Sequence, residues 1–176
     1  MNKKNRRPGV MLRALETGDL ERTLRWHNNA GLYECLGGTL RFVSRQTEEA
    51  WLQQKAASAP GEINLAICLT PAGEHIGNLY LRDINWVARH AEIHMFIGET
   101  KLRGKGYGAS ALRQIMAHAF DTLGLQRIFL YVLADNRAAI RLYETCGFVV
   151  EGRLKRHAFK SGKFKDMLVM GLCAAG

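Results

Sequence analysis

Acid and proline are scarce in this chain. Its 176 residues carry 16 Asp and Glu against 25 Lys and Arg, a net charge of +9, and only 3 prolines. The acid deficit disfavours a polycationic partner unless acids cluster locally, and it suits an anionic ligand. No low-complexity tract, repeat or linker interrupts the chain, which excludes a modular or disordered architecture. The four cysteines, Cys35, Cys68, Cys146 and Cys173, form no Cys-x-x-Cys pair, and Cys68 and Cys146 read as packed thiols of a reducing compartment. No stretch approaches 18 consecutive apolar residues, so no membrane-spanning helix is expected. The basic start, Met1 to Arg7, is followed by no apolar run, which excludes a standard secretory signal. A cytoplasmic protein without membrane association is the expectation. His90 and His94 are four apart on a strand with no carboxylate–histidine constellation around them, so no metal site is expected.

With 47% hydrophobic and 23% charged residues, the chain has the composition of one globular domain that buries about two-thirds of its unfolded surface. We expect a basic tail over residues 1–9 and a single domain over 10–176. Ten of the 25 basic residues lie in two stretches: Lys3, Lys4, Arg6 and Arg7, then Arg153, Lys155, Arg156, Lys160, Lys163 and Lys165. These read as a frayed tail and a solvated hairpin. A nucleic-acid footprint is disfavoured, because no series of stacking aromatics accompanies them.

What the chain does have is Arg103-Gly104-Lys105-Gly106-Tyr107-Gly108. An alternating run, Glu92 to Gly98, precedes it and reads as a strand. After it, Leu112, Ile115, Met116, Ala119, Phe120 and Leu123 recur at helical spacing. Strand, glycine loop, helix is an arrangement that presents free backbone N–H groups to a phosphate. A P-loop reading falls because Gly-x-x-x-x-Gly-Lys-Ser/Thr is absent. Gly104, Gly106 and Ala109 match a dinucleotide fingerprint formally, but the loop comes late, and Asp121 falls within the helix rather than at a strand end.

The pattern Arg-x-x-Gly-x-Gly at Arg103, Gly106 and Gly108 resembles the acyl-CoA pyrophosphate loop of the GNAT N-acetyltransferases. Downstream, Asn136, Ala139, Leu142, Tyr143, Gly147 and Phe148 follow Asn-x-x-Ala-x-x-Leu-Tyr-x-x-x-Gly-Phe, the second CoA-side motif of that family. The resemblance runs from about Leu12 to Leu172. It points to the branch of ribosomal-protein N-terminal, spermidine and amino-sugar nucleotide acetyltransferases. It implies an α/β (α+β) acyl-CoA N-acyltransferase fold: a mixed β-sheet, splayed at its centre and flanked by helices.

The elements legible from pattern agree in order. Val10 to Leu15 is a strand, a helix capped by Asp19 runs to Asn28, and Thr47 caps a second helix. A hairpin, Ile63 to Leu69 with His75 to Asp83, follows. Then come His90 to Gly98, the helix Gly106 to Leu123, the strand Arg127 to Leu133 and the helix Arg137 to Cys146. Phe148 to Glu151 starts a strand, and Arg153 to Phe159 with Lys165 to Leu172 forms a closing hairpin about Ser161 and Gly162.

The resemblance implies direct transfer of acetyl from acetyl-CoA to a primary amine. Backbone N–H groups from Arg103 to Gly108 would cradle pyrophosphate. A donor near Met95, Phe96 and Ile97 would face the thioester carbonyl, and Asn136 would contact the pantetheine. Tyr143 stands where the family's proton donor stands. A phenol of pKa ~10 can protonate a thiolate whose acid has pKa ~8.5 at a cost of about 2 kcal/mol. Glu92 shares a strand face with His94 and Phe96 and is the candidate base, acting through a water. His94 is a lesser candidate, and an ion pair of Glu92 with Arg89 or Arg103 is the alternative. Trp26, His27, Asn28, Tyr33, Glu34, Arg41 and Phe42 are candidates for the acceptor side. The acceptor is read first as a small-molecule amine: an amino-sugar nucleotide, a polyamine or similar. A protein N-terminus is the second reading, and a CoA-binding sensor without catalysis the third. The family analogy allows a homodimer.

Overall fold

The computed structural model describes residues 9–57 and 59–174. All but Gly9 of the basic tail therefore lies outside the described residues. The elements run β1 (Val10–Ala14), α1 (Leu20–His27), α2 (Ala30–Tyr33), α3 (Arg45–Ala56), β2 (Ile63–Leu69), β3 (His75–Asn85) and β4 (His90–Ile97). They continue with α4 (Tyr107–Ala117), β5 (Arg127–Leu133), α5 (Arg137–Thr145), β6 (Val149–Lys160) and β7 (Lys163–Cys173).

One seven-stranded sheet, in the order β1-β2-β3-β4-β5-β7-β6, carries everything. Its pairings are antiparallel except at the centre, where β4 and β5 run parallel. That seam holds only three residue pairs, His90 with Arg127, Ala91 with Ile128 and Glu92 with Phe129. Beyond Glu92 the strands part. The expected mixed, splayed sheet with flanking helices is what forms.

The alternation read on β4 places the core. Ile93 is buried, and Met95 and Ile97 pack against the main core of Leu112, Ile115, Ile128, Ile140 and Phe148. α4 delivers Ala111, Leu112 and Ile115 to that core at near-zero exposure, as its apolar periodicity predicts. The helix expected through Leu123 stops at Ala117 and continues as a wider π-type turn over His118–Thr122. On the opposite sheet face, Leu15, Leu52, Ala66, Cys68 and Tyr80 make a second cluster. Here Trp26 is only 1% exposed and abuts Gly98, where an added Cβ would lie 2.2 Å from the indole. Asp19 sits at the head of α1 and accepts from both arms of the Arg13 guanidinium at 2.6 and 2.8 Å.

Three expectations need correction. Ser44, not Thr47, caps α3: its Oγ accepts from the Thr47 N–H at 3.1 Å. The strand start at Phe148 and the closing hairpin are one long pair, β6 and β7. Nor is that hairpin simply solvated. Lys160 is 6% exposed, Arg153 pairs with Asp166 at 2.7 Å, and Lys165 pairs with Asp135 at 2.5 Å.

Candidate active site

Where β4 and β5 part, a cleft of about 1060 Å³ opens. One wall is the glycine loop with the start of α4, another is α5, and the far end is closed by α1, α3 and the loop over residues 34–44. The site is therefore built in two halves.

The first half is mostly backbone. Gly104 and Gly106 have φ of +71° and +86°, a conformation that costs an L side chain roughly 1–2 kcal/mol. Gly106 immediately precedes α4, and Ser110 is the first N–H to find a backbone acceptor, Gly106 O at 3.0 Å. Among the described residues no backbone acceptor is engaged by the N–H groups from Gly104 to Ala109. A row of free donors at the positive end of a helix is a cradle for phosphate oxygens. Every loop residue from Arg103 to Gly108 lines the cleft except Lys105, which is exposed. Arg103 also braces the loop, its Nε donating to Ile97 O at 2.8 Å.

The edge of β4 supplies the next feature. Gly98 N–H donates to Ile76 O at 2.9 Å, toward β3. Alternation then turns the N–H groups of Met95 and Ile97 the other way, into the gap beyond Glu92. Phe96 belongs to the second cluster, with its ring edge-on to Trp26 at 5.8 Å.

Tyr143 on α5 lines the cleft at 8% exposure. Burial pushes its phenol up to about 12, so it holds its proton across the neutral range. Asn136 serves at the head of α5: its Oδ1 accepts from Ala139 N–H at 3.1 Å, and its Nδ2 donates to Cys35 O at 3.0 Å. The side chain thereby ties the start of α5 to the 34–44 loop, a tie the sequence did not disclose.

The second half is made of side chains. Glu92 lies in the cleft with its Oε1 2.8 Å from His94 Nε2. Its partner is thus the histidine two residues on, and neither Arg89 nor Arg103. A second carboxylate–histidine pair faces the same space: Glu48 Oε2 is 2.7 Å from His27 Nδ1. Glu48 is only 1% exposed, and its Oε1 has no partner among the described residues. Trp51 stands edge-on to His27 at 4.6 Å. Glu48, Trp51 and Leu52 recur at three- and four-residue spacing on α3, a signal that marks an inward face but not its chemistry. Tyr80 and Arg82 alternate on β3 and stand opposite His94 and Glu92.

Of the acceptor-side candidates, His27, Tyr33 and Arg41 line the cleft. Trp26 is core, with Nε1 donating to Glu99 at 3.2 Å. Asn28 is a brace, bonded twice to the Val43 backbone at 2.9 Å. Glu34 turns away to accept from Ser161 Oγ at 2.9 Å, and Phe42 is 94% exposed. The loop is pinned from the hairpin side by Lys160, whose Nζ donates to Tyr33 O at 2.7 Å and also to Gly38 O.

Residues 10–149 match the family described as the Acetyltransferase (GNAT) domain. The chain belongs to the GNAT acetyltransferases. A solved structure of spermidine N-acetyltransferase from Vibrio cholerae, in complex with CoA and spermine, superposes on this acetyltransferase with a TM-score of 0.85 at 29% identity. That match covers 93% of this chain and 95% of the other. The spermidine N(1)-acetyltransferase of Escherichia coli is 30% identical over 92% of this chain and 84% of its own. An L-amino acid N-acetyltransferase of the same species is 28% identical over 92% and 96%. As an N-acetyltransferase of this family it uses acetyl-CoA as co-substrate. The free N–H row beside an open cleft fits that co-substrate's pyrophosphate and arm.

Proposed function

We propose that catalysis by this N-acetyltransferase rests on four groups of the cleft. The N–H groups of Gly104 to Ala109 hold the pyrophosphate. The N–H groups of Met95 and Ile97 face the thioester carbonyl as its oxygen gains charge, the point at which preorganised donors contribute most. Glu92, oriented by His94, takes a proton from the incoming amine through a water. Tyr143 gives its proton to the departing thiolate. The observation that carries this reading is the seam of three pairs, after which β4 turns unpaired N–H groups into a cleft lined by both Glu92 and Tyr143.

Reduced-thiol usage supports a cytoplasmic site of action, since Cys35, Cys68, Cys146 and Cys173 are all free. The relatives named for spermidine and for L-amino acids put two acceptor chemistries forward, both of them primary amines. The test is thiol release from acetyl-CoA across polyamines, amino acids, amino-sugar nucleotides and ribosomal-protein N-terminal peptides. Turnover of small amines over peptides is the expected outcome. Peptides as the better acceptors would replace this reading with protein N-terminal acetylation.

A further inference from the structure

The charges that line the acceptor end of the cleft are not paired with one another. Its two carboxylates, Glu48 and Glu92, are each engaged by a histidine at 2.7 and 2.8 Å. Arg41 and Arg82 also line it. Among the described residues, no carboxylate lies within 4.0 Å of either guanidinium, and neither makes a hydrogen bond. Arg82 is the more telling of the two. It is half-buried, its Nε is shielded from solvent without a partner, and its guanidinium carbon sits 4.9 Å from the centroid of the Tyr80 ring. It also stands directly opposite Glu92 in the β3–β4 register, yet the Glu92 carboxylate turns to His94.

A partly desolvated guanidinium held against an aromatic face, with no carboxylate within 4.0 Å among the described residues, favours an anion in its fork. Cross-strand neighbours have Cβ atoms about 4.5–5.5 Å apart. An amine brought to Glu92 therefore carries the rest of its molecule past Arg82. A polyamine would place a second cation there, where like charge is unfavourable.

We infer that the acceptor of this acetyltransferase bears an anionic group, a carboxylate or a phosphate, a few bonds from its reactive amine, and that Arg82 is the residue that reads it. The inference rests on the transferase reading of the cleft and narrows its substrate class. The charge pattern leaves the two anions equivalent, so both enter the test.

The experiment compares kcat/KM by thiol release for matched acceptor pairs: L-histidine with histamine, L-tyrosine with tyramine, and O-phosphoethanolamine with ethanolamine. Spermidine is run beside them, and Arg82→Gln and Arg82→Lys beside the parent enzyme. The expected result is at least a tenfold preference for the anionic member of one or more pairs. The amino acid pairs report a carboxylate and the ethanolamine pair a phosphate. Arg82→Gln should collapse that preference at least tenfold through KM for the anionic member, and Arg82→Lys should restore part of it. Spermidine as the best acceptor, or equal losses in both members of each pair with Arg82→Gln, would overturn the inference while leaving the transferase intact. Silence of every acceptor, with acetyl-CoA binding still seen by calorimetry, would instead overturn the transferase reading and this inference with it.

Discussion

The two halves of the cleft are made of different material. The cofactor half is held by conformation: two glycines in the left-handed region, a run of free N–H groups at the head of α4, and a strand edge that has lost its neighbour. The acceptor half is held by side chains from α1, α3, β3 and β4, closed over by a loop that Asn28, Asn136 and Lys160 tie down from three directions. Backbone sites recognise a group common to every turnover, and they tolerate substitution poorly because only certain φ values form them. Side-chain sites can be rewritten one residue at a time without disturbing the sheet. Relatives sharing about 30% identity can thus keep one donor and differ in what they acetylate.

The contrast can be broken at several points. The largest effect belongs to the group that bridges the halves: Tyr143→Phe should lower kcat by about 10²–10⁴ with acetyl-CoA affinity retained by calorimetry. Unchanged turnover would mean that the thiolate takes its proton elsewhere. Lys160→Met removes a buried ammonium and leaves the carbonyls of Tyr33 and Gly38 without their donor. That should cost about 1–3 kcal/mol of stability in thermal unfolding and raise KM for the amine, with acetyl-CoA affinity unmoved. If both affinities fall together, the halves are not separable. Gly106→Ala forces a β-carbon onto φ +86° and should do the reverse, weakening acetyl-CoA binding up to about tenfold through roughly 1–2 kcal/mol of strain.

The smallest effect is on acid stability. Burial raises the Asp19 carboxyl, but the Arg13 fork, the Glu16 N–H and the nearby His75 outweigh it and leave its pKa below the ordinary value. A depressed folded pKa means stability that is present above the unfolded value near 3.9 and is lost as pH falls through the folded one. Asp19→Asn should therefore flatten the acid limb of a melting-temperature profile between pH 5 and 2. An unaltered limb would show that other carboxylates set it.

The same division explains what the residues disclosed before any coordinates. The geometry of the loop, the strand edge and α5 was legible because each is local: Arg103 to Gly108 spans 6 residues and Asn136 to Phe148 spans 13. Glu48, Trp51, Tyr80 and Arg82 were not, because each acquires its meaning only from partners 10 to 24 residues away, brought close by register and helix packing. Alternation sets the strand face of Glu92, but its neighbour is His94 and not the arginine of the alternative reading, a choice that depends on rotamers rather than on alternation. Ser44 and Thr47 are both residue types that fit a helix cap, and pattern does not decide between positions three apart; the structure gives the role to Ser44. Trp26 and Phe42 show the limit most plainly: two aromatics of one candidate set, one sealed in the core and the other out in solvent.

Asn136 has a role that is thermodynamic as well as architectural. One amide side chain closes the first turn of the helix that carries Tyr143 and also grips the backbone at Cys35. Ordering one end of that link lowers the entropy left to lose at the other. The two substrates are therefore expected to show a coupling free energy, read by calorimetry of the amine with and without the donor; by reciprocity, whatever factor the donor confers on the amine the amine returns to the donor. A net hydrogen-bond value of about 0.5–1.5 kcal/mol sets that mutual factor at a few-fold to roughly tenfold.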